Sequence, residues 1–140
     1  MTVTKAISDE QIKYMIDLAE QGKDNAYVPY SKYPVGASIM TGDGEYFNGC
    51  NVENASFGLT NCAERTAIFK AVSESKKTNI KLLAVIADSE NFASPCGACR
   101  QVIMEFGQDA QIILANKSKE YRIVSSEDLL PGAFTKNELE

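Results

Sequence analysis

With 140 residues, 44% of them apolar, the chain is long enough to form one compact domain over residues 1–140 with a sizeable core. The formal net charge is −5 and the basic residues are scattered in pairs such as Lys76-Lys77, which argues against nucleic acid as a partner and for a small neutral or cationic ligand. No apolar run approaches a membrane span, and Met1-Thr2-Val3-Thr4-Lys5 leads into a polar helix, unlike a signal peptide, so the expectation is a cytoplasmic protein that does not engage membranes.

Ser8-Asp9-Glu10-Gln11 reads as a capping box, followed by Ile12, Met15, Ile16 and Ala19 on one helical face until Gly22. The prolines of Tyr27-Val28-Pro29-Tyr30-Ser31-Lys32-Tyr33-Pro34 keep the next stretch extended and irregular. Val35, Ala37 and Ile39 alternate as a strand, Thr41-Gly42-Asp43-Gly44 turns a hairpin, and a second strand covers 45–51. A loop over 53–61 leads to a helix over 62–75. The nearly unbroken apolar run 80–87 predicts a strand buried on both faces. Pro95 suits the first turn of a helix that continues to Phe106. Strands over 110–115 and 120–124 follow, and Ser125-Ser126-Glu127-Asp128 begins a last short helix. The order β-β-α-β-α-β predicts an α/β fold with a mixed sheet between helices, ligands binding beyond the carboxyl ends of strands.

The chain has four cysteines and no histidine, so any metal site must be built from thiolates and carboxylates, and histidine-based triads are excluded. Nothing marks secretion, and in a reducing compartment cysteines serve metal or catalytic roles more often than disulfides. Alone, Cys96-Gly97-Ala98-Cys99 reads equally as a redox pair, a zinc half-site or two buried thiols. Cys62-Ala63-Glu64 moves the balance toward zinc: three thiols from two segments leave a fourth position open, and a carboxylate two residues from one ligand lies close without binding. Both pieces fall at helix starts, where the helix dipole favours a thiolate. Cys50, flanked by Gly49 and Asn51 in a predicted strand, reads as a small core residue; as a fourth ligand it would close the site into a structural one.

Three thiolates on Zn²⁺ leave a net charge of −1, which a cation bonded to the sulfurs can offset. Arg65 and Arg100 each follow a key residue at a helix start, where the dipole disfavours arginine; a sulfur-bonding role fits, best for Arg65. Asn51 and Glu53 share one side of an extended segment and could bind vicinal hydroxyls, or simply serve as turn residues. Tyr27, Tyr30 and Tyr33 read as half-buried packing rather than a base-stacking wall.

The spacing Cys-x-Glu with Pro-Cys-x-x-Cys matches the signature of zinc-dependent base deaminases. Over residues 27–134 the chain resembles the small, single-domain, three-cysteine cytidine deaminases. The resemblance runs through Pro29-Tyr30-Ser31-Lys32, Val35-Gly36-Ala37, Gly49-Cys50-Asn51-Val52-Glu53-Asn54-Ala55, Cys62-Ala63-Glu64-Arg65-Thr66-Ala67, Ser94-Pro95-Cys96-Gly97-Ala98-Cys99-Arg100-Gln101 and Leu130-Pro131-Gly132-Ala133-Phe134. It implies a three-layer α-β-α sandwich on a mixed five-stranded sheet, with one Zn²⁺ per subunit on Cys62, Cys96 and Cys99. Glu64 would shuttle protons and Arg65 temper the thiolates. Asn51 and Glu53 would hold the ribose, with Tyr33 and Ala63 in the pocket. Phe134 would stack on the base in a neighbouring subunit of a homotetramer with shared sites. The implied reaction converts cytidine or 2′-deoxycytidine to the uridine product and ammonia. Tyr33 stands where Phe is usual and Phe57 where Tyr is usual, departures that bear on kinetics and subunit contacts. A deaminase of a cytosine-containing antibiotic or another base, a structural four-thiolate module and a redox dithiol protein are the competing readings.

Overall fold

The computed structural model describes residues 6–139; the expectation that Met1-Thr2-Val3-Thr4-Lys5 carries no targeting signal falls outside them. Helix α1 (Asp9–Lys23) begins where the Ser8 hydroxyl accepts the Gln11 amide at 3.1 Å. Only this half of the expected capping box forms, because the Gln11 side chain donates instead to the Tyr46 hydroxyl at 2.9 Å. Strands β1 (Val35–Thr41) and β2 (Tyr46–Cys50) make the expected hairpin, closed through Gly44 at φ 88°. Helix α2 (Ala63–Ser75), strand β3 (Ile80–Ala87), helix α3 (Gly97–Phe106), strands β4 (Gln111–Ala115) and β5 (Tyr121–Ser125) and helix α4 (Ser126–Leu129) follow. A full capping box forms at α4, between Ser125 and Asp128. Pro95 lies one residue before the N-cap of α3 and not in its first turn, because Cys96 takes the cap in extended backbone.

The sheet order is β2-β1-β3-β4-β5, with β3 and β4 parallel and every other pair antiparallel. Strand alternation divides the core in two. Leu82, Ala84 and Ile86 of β3 face α1 together with Ile113 and Ala115, whereas Leu83, Val85 and Ala87 face α2 and α3 with Ile112 and Leu114. Both faces of β3 are therefore covered, as its continuous apolar run requires; each fully buried Leu, Ile or Val there contributes about 1.5–3 kcal/mol. Glycines let both helix layers approach closely. A Cβ on Gly36 would sit 1.9 Å from the Ala19 carbonyl oxygen of α1, and one on Gly49 would sit 2.6 Å from the Ala67 nitrogen of α2. This contact seats the N-terminus of α2 against the β1–β2 hairpin. No helix of the described residues is long and apolar enough to cross a membrane.

Candidate active site

Cys62 and Cys96 occupy equivalent places: each is the N-cap of a helix, in extended backbone, with no side-chain bond to the first turn. A cap side chain relieved of that duty can aim elsewhere, and here both aim at Cys99, one turn into α3. The three sulfurs lie within 4.8 Å of one another, with Cys62 Sγ and Cys96 Sγ 3.8 Å apart. That is far outside disulfide length, and it is close to the sulfur–sulfur spacing of roughly 3.8 Å that tetrahedral geometry gives for Zn–S bonds of about 2.3 Å. Donor set and spacing together fit zinc. Cys50 is not in the cluster; it is half-buried in β2, and burial raises its thiol pKa.

The thiols are not equivalent electrostatically. Cys62 is lowered to about 5, chiefly by a hydrogen bond from Cys99, with further help from Arg65 and Cys96. Cys99, as the donor of that bond and buried, is pushed up. Metal binding releases the remaining thiol protons, so the corner is half prepared for a cation before one arrives. The Arg65 Nη2 donates to Cys62 Sγ at 3.3 Å, the sulfur contact expected for it, and this bond raises the guanidinium pKa. Arg65 Nε is buried without a partner among the described residues. Arg100 departs from the expectation: it bonds no sulfur, donating instead to the Pro95 carbonyl, the Leu129 carbonyl and the Ser94 hydroxyl.

Glu64 is 4% exposed, in the first turn of α2. Burial raises its carboxyl pKa to about 7, with the Cys62 thiolate adding and Arg65 opposing. A carboxyl poised near neutrality suits a group that both accepts and donates a proton.

The cleft above this corner measures about 180 Å³ and is lined by Tyr33, Asn51, Cys62, Ala63, Glu64 and Cys96 among the expected residues. Thr60, Val85, Ala87, Ala93 and Ser94 complete its wall. None of these five stood out in the sequence; for Ser94, adjacency to Pro95-Cys96 was the available signal. Glu53 and Phe134 do not line the cleft of their own chain. Asn51 accepts from Val35 N at 2.9 Å and donates to the Tyr33 carbonyl at 2.9 Å. Glu53 Oε1 accepts from the Tyr30 and Ser31 amides at 3.0 and 3.1 Å, and the Ser31 hydroxyl first, then these amides, hold its carboxyl below the usual range. Both side chains thus brace the 27–34 loop against the hairpin. A larger cleft, about 540 Å³, lies on the α1 side between Gln11, Met40, Leu82 and Gln111 and holds none of the thiols.

A metal corner of three thiols beside a buried carboxylate, at the carboxyl end of a sheet strand, defines the class of zinc hydrolases. The sequence model described as the cytidine and deoxycytidylate deaminase zinc-binding region matches residues 9–115. The chain is 47% identical over 129 residues to a cytidine deaminase of Sporosarcina psychrophila, covering 91% of this chain and 94% of that one. It is 46% identical over 126 residues to a cytidine deaminase of Halalkalibacterium halodurans, covering 89% and 95%. The crystal structure of cytidine deaminase from Burkholderia pseudomallei superposes with a TM-score of 0.84 at 44% identity, over 87% of this chain and 98% of that one. The chain belongs to the cytidine and deoxycytidylate deaminase family, zinc-dependent enzymes that hydrolyse a C–N bond.

Proposed function

We propose that the chain catalyses the hydrolytic deamination of cytidine and 2′-deoxycytidine, consuming water and releasing uridine or 2′-deoxyuridine and ammonia, as a single-domain cytoplasmic enzyme of pyrimidine salvage. The observation that carries this reading is the convergence of Cys62, Cys96 and Cys99 beside the buried Glu64 at the floor of the cleft. Cys62, Cys96 and Cys99 would hold zinc, which when bound would supply the Lewis acidity that activates a water molecule. Glu64 would take one proton of that water as its oxygen attacks C4 of cytosine and deliver it to N3; it would then carry the proton of the new C4 hydroxyl to the amine, so that the C4 carbonyl forms as the C4–N bond breaks and ammonia leaves. Arg65 offsets the negative charge of the thiolates from its bond to Cys62. Asn51 and Glu53 hold the ribose, while Tyr33 and Ala63 flank the base.

The protein acts as a homotetramer whose sites are shared, with Phe134 stacking on a base bound by a neighbour. The cleft, at about 180 Å³, is smaller than the roughly 300–1,000 Å³ of sites that enclose a drug-sized ligand, so one chain supplies a floor and walls without a cover. Phe134 is 60% exposed and Phe57 75%, with Tyr30 packed edge-on against Phe57 at 6.1 Å between ring centroids. Exposed aromatics of this kind are typical of surfaces that meet another subunit.

Zinc counting combined with an assay on cytidine, with and without chelator, tests the chemistry. One zinc per chain, chelator-sensitive release of ammonia and recovery on adding zinc are expected. Inactivity of the zinc-loaded protein on both nucleosides, or turnover of another base alone, would overturn the substrate assignment. Sharing is tested by mixing Phe134→Ala with Glu64→Gln subunits after dissociation and reassociation. Pockets that pair an intact Glu64 with an intact Phe134 should regain wild-type KM; if no such pockets appear, each subunit builds its site alone.

A further inference from the structure

The guanidinium of Arg100 folds back along the N-terminus of α3 and divides its donors among three acceptors. Nε donates to the Pro95 carbonyl at 2.8 Å, Nη2 to Ser94 Oγ at 2.8 Å, and Nη1 to the Leu129 carbonyl at 2.9 Å. The first two acceptors immediately precede Cys96, in the segment that supplies Ala93, Ser94 and Cys96 to the cleft wall. The third closes α4 and opens the chain's path toward Phe134. Gln101, the next residue of α3, adds a second tie by donating to the Phe134 carbonyl at 2.7 Å. At its other end the wall segment is fixed to the sheet, because Ala93 N donates to the Ala115 carbonyl at 3.0 Å. One turn of α3 therefore grips both the wall beside Cys96 and the segment carrying Phe134. The guanidinium spreads its three bonds over three nitrogens of a rigid plane, whereas the three donors of an ammonium all leave one atom and carry the same charge without the fork.

We propose that Arg100 is a positioning residue that couples the C-terminal segment 129–134 to the cleft wall 93–96, so that the placement of Phe134 and the shape of the pocket are set together. Its role in substrate affinity rests on the function proposed above; the mechanical coupling does not. Removing the coupling weakens binding of substrate and transition state alike, so KM changes rather than kcat. A thiolate-tempering role, the alternative for an arginine beside Cys99, would instead change kcat and the pH profile, because it alters the charge at the metal.

Hydrogen exchange followed by mass spectrometry on the zinc-loaded protein reads the coupling without substrate. Arg100→Ala should speed exchange in both 93–98 and 129–134, Ser94→Ala in the first alone and Gln101→Ala in the second alone. Arg100→Lys, which keeps the charge, should resemble Arg100→Ala in both segments. On cytidine, Arg100→Ala and Arg100→Lys should raise KM about tenfold, the scale of one lost hydrogen bond to a charged group, with kcat within about twofold and the pH profile unmoved. Wild-type exchange in 129–134 for the lysine variant, full rescue of KM by lysine, or a fall in kcat with a displaced pH profile would each overturn the proposal. Should Arg100→Ala fail to fold, the lysine, Ser94 and Gln101 variants decide it. Should the protein turn over neither nucleoside, the exchange result still stands or falls alone.

Discussion

Helices α2 and α3 begin alike, each with a cysteine at the N-cap whose thiol leaves the first-turn amides unbonded and turns to the metal corner. Each also carries an arginine in its first turns, where the helix dipole disfavours one. They part at what those arginines hold. Arg65 reaches back to donate to Cys62 Sγ, so it brings a charge and a hydrogen bond to a thiol of the metal corner. Arg100 spends Nε, Nη1 and Nη2 on neutral oxygens of the chain, so its contribution is shape. The same residue type at similar places in two helix starts thus does electrostatic work in one and mechanical work in the other, and the acceptors within reach decide which.

The contrast can be broken most severely at a residue both helices depend on. Cys99→Ala removes the ligand on which Cys62 and Cys96 converge, and it should lose zinc and reduce deamination to background, measured by metal content and ammonia release. Next comes Arg65→Ala, which should lower activity or zinc affinity by about 10–100-fold, the range for groups that support metal ligands. Arg65→Gln, which keeps a donor toward Cys62 without the charge, should fall between. Equal losses in the two variants would mean that charge rather than the hydrogen bond is what matters. Smallest should be Cys50→Ala. It lies outside the thiol cluster, so zinc stoichiometry should stay at wild type and stability should fall only by the roughly 0.5–3 kcal/mol of an ordinary substitution, read from chemical denaturation. Loss of metal in that variant, with normal folding, would place Cys50 among the ligands.

How much of this is legible before the structure varies with the range of the interaction. The run at 80–87 names its own strand because a continuous apolar stretch of that length needs cover on both faces, and the sheet supplies it. The spacing of Cys62, Glu64, Cys96 and Cys99 names the corner because helix starts fix where those side chains point. Pro95 was less legible: proline favours a first helical turn in general, but a cysteine cap after it shifts the helix start to Gly97. Arg100 stands out by its place at a helix start, which suggests a sulfur contact, but its actual role is not legible, since one of its acceptors, the Leu129 carbonyl, comes from 29 residues further along the chain. Asn51 and Glu53 stood out by residue type and position, yet their bonds to the 27–34 loop depend on how that loop folds back over the hairpin. Local spacing carries the metal chemistry; the bracing of the pocket is tertiary.

Glu64→Gln with zinc counted in the same sample tests the central claim most directly. An amide matches the carboxyl in shape and can neither take the proton of the attacking water nor return it to the amine. The variant should fold, hold one zinc per chain and lose at least about 10³-fold in turnover of cytidine, toward the upper end of general acid–base contributions because one group serves several proton transfers. A zinc-loaded variant retaining more than about a tenth of wild-type activity would contradict the account, since a general base contributes far more than that.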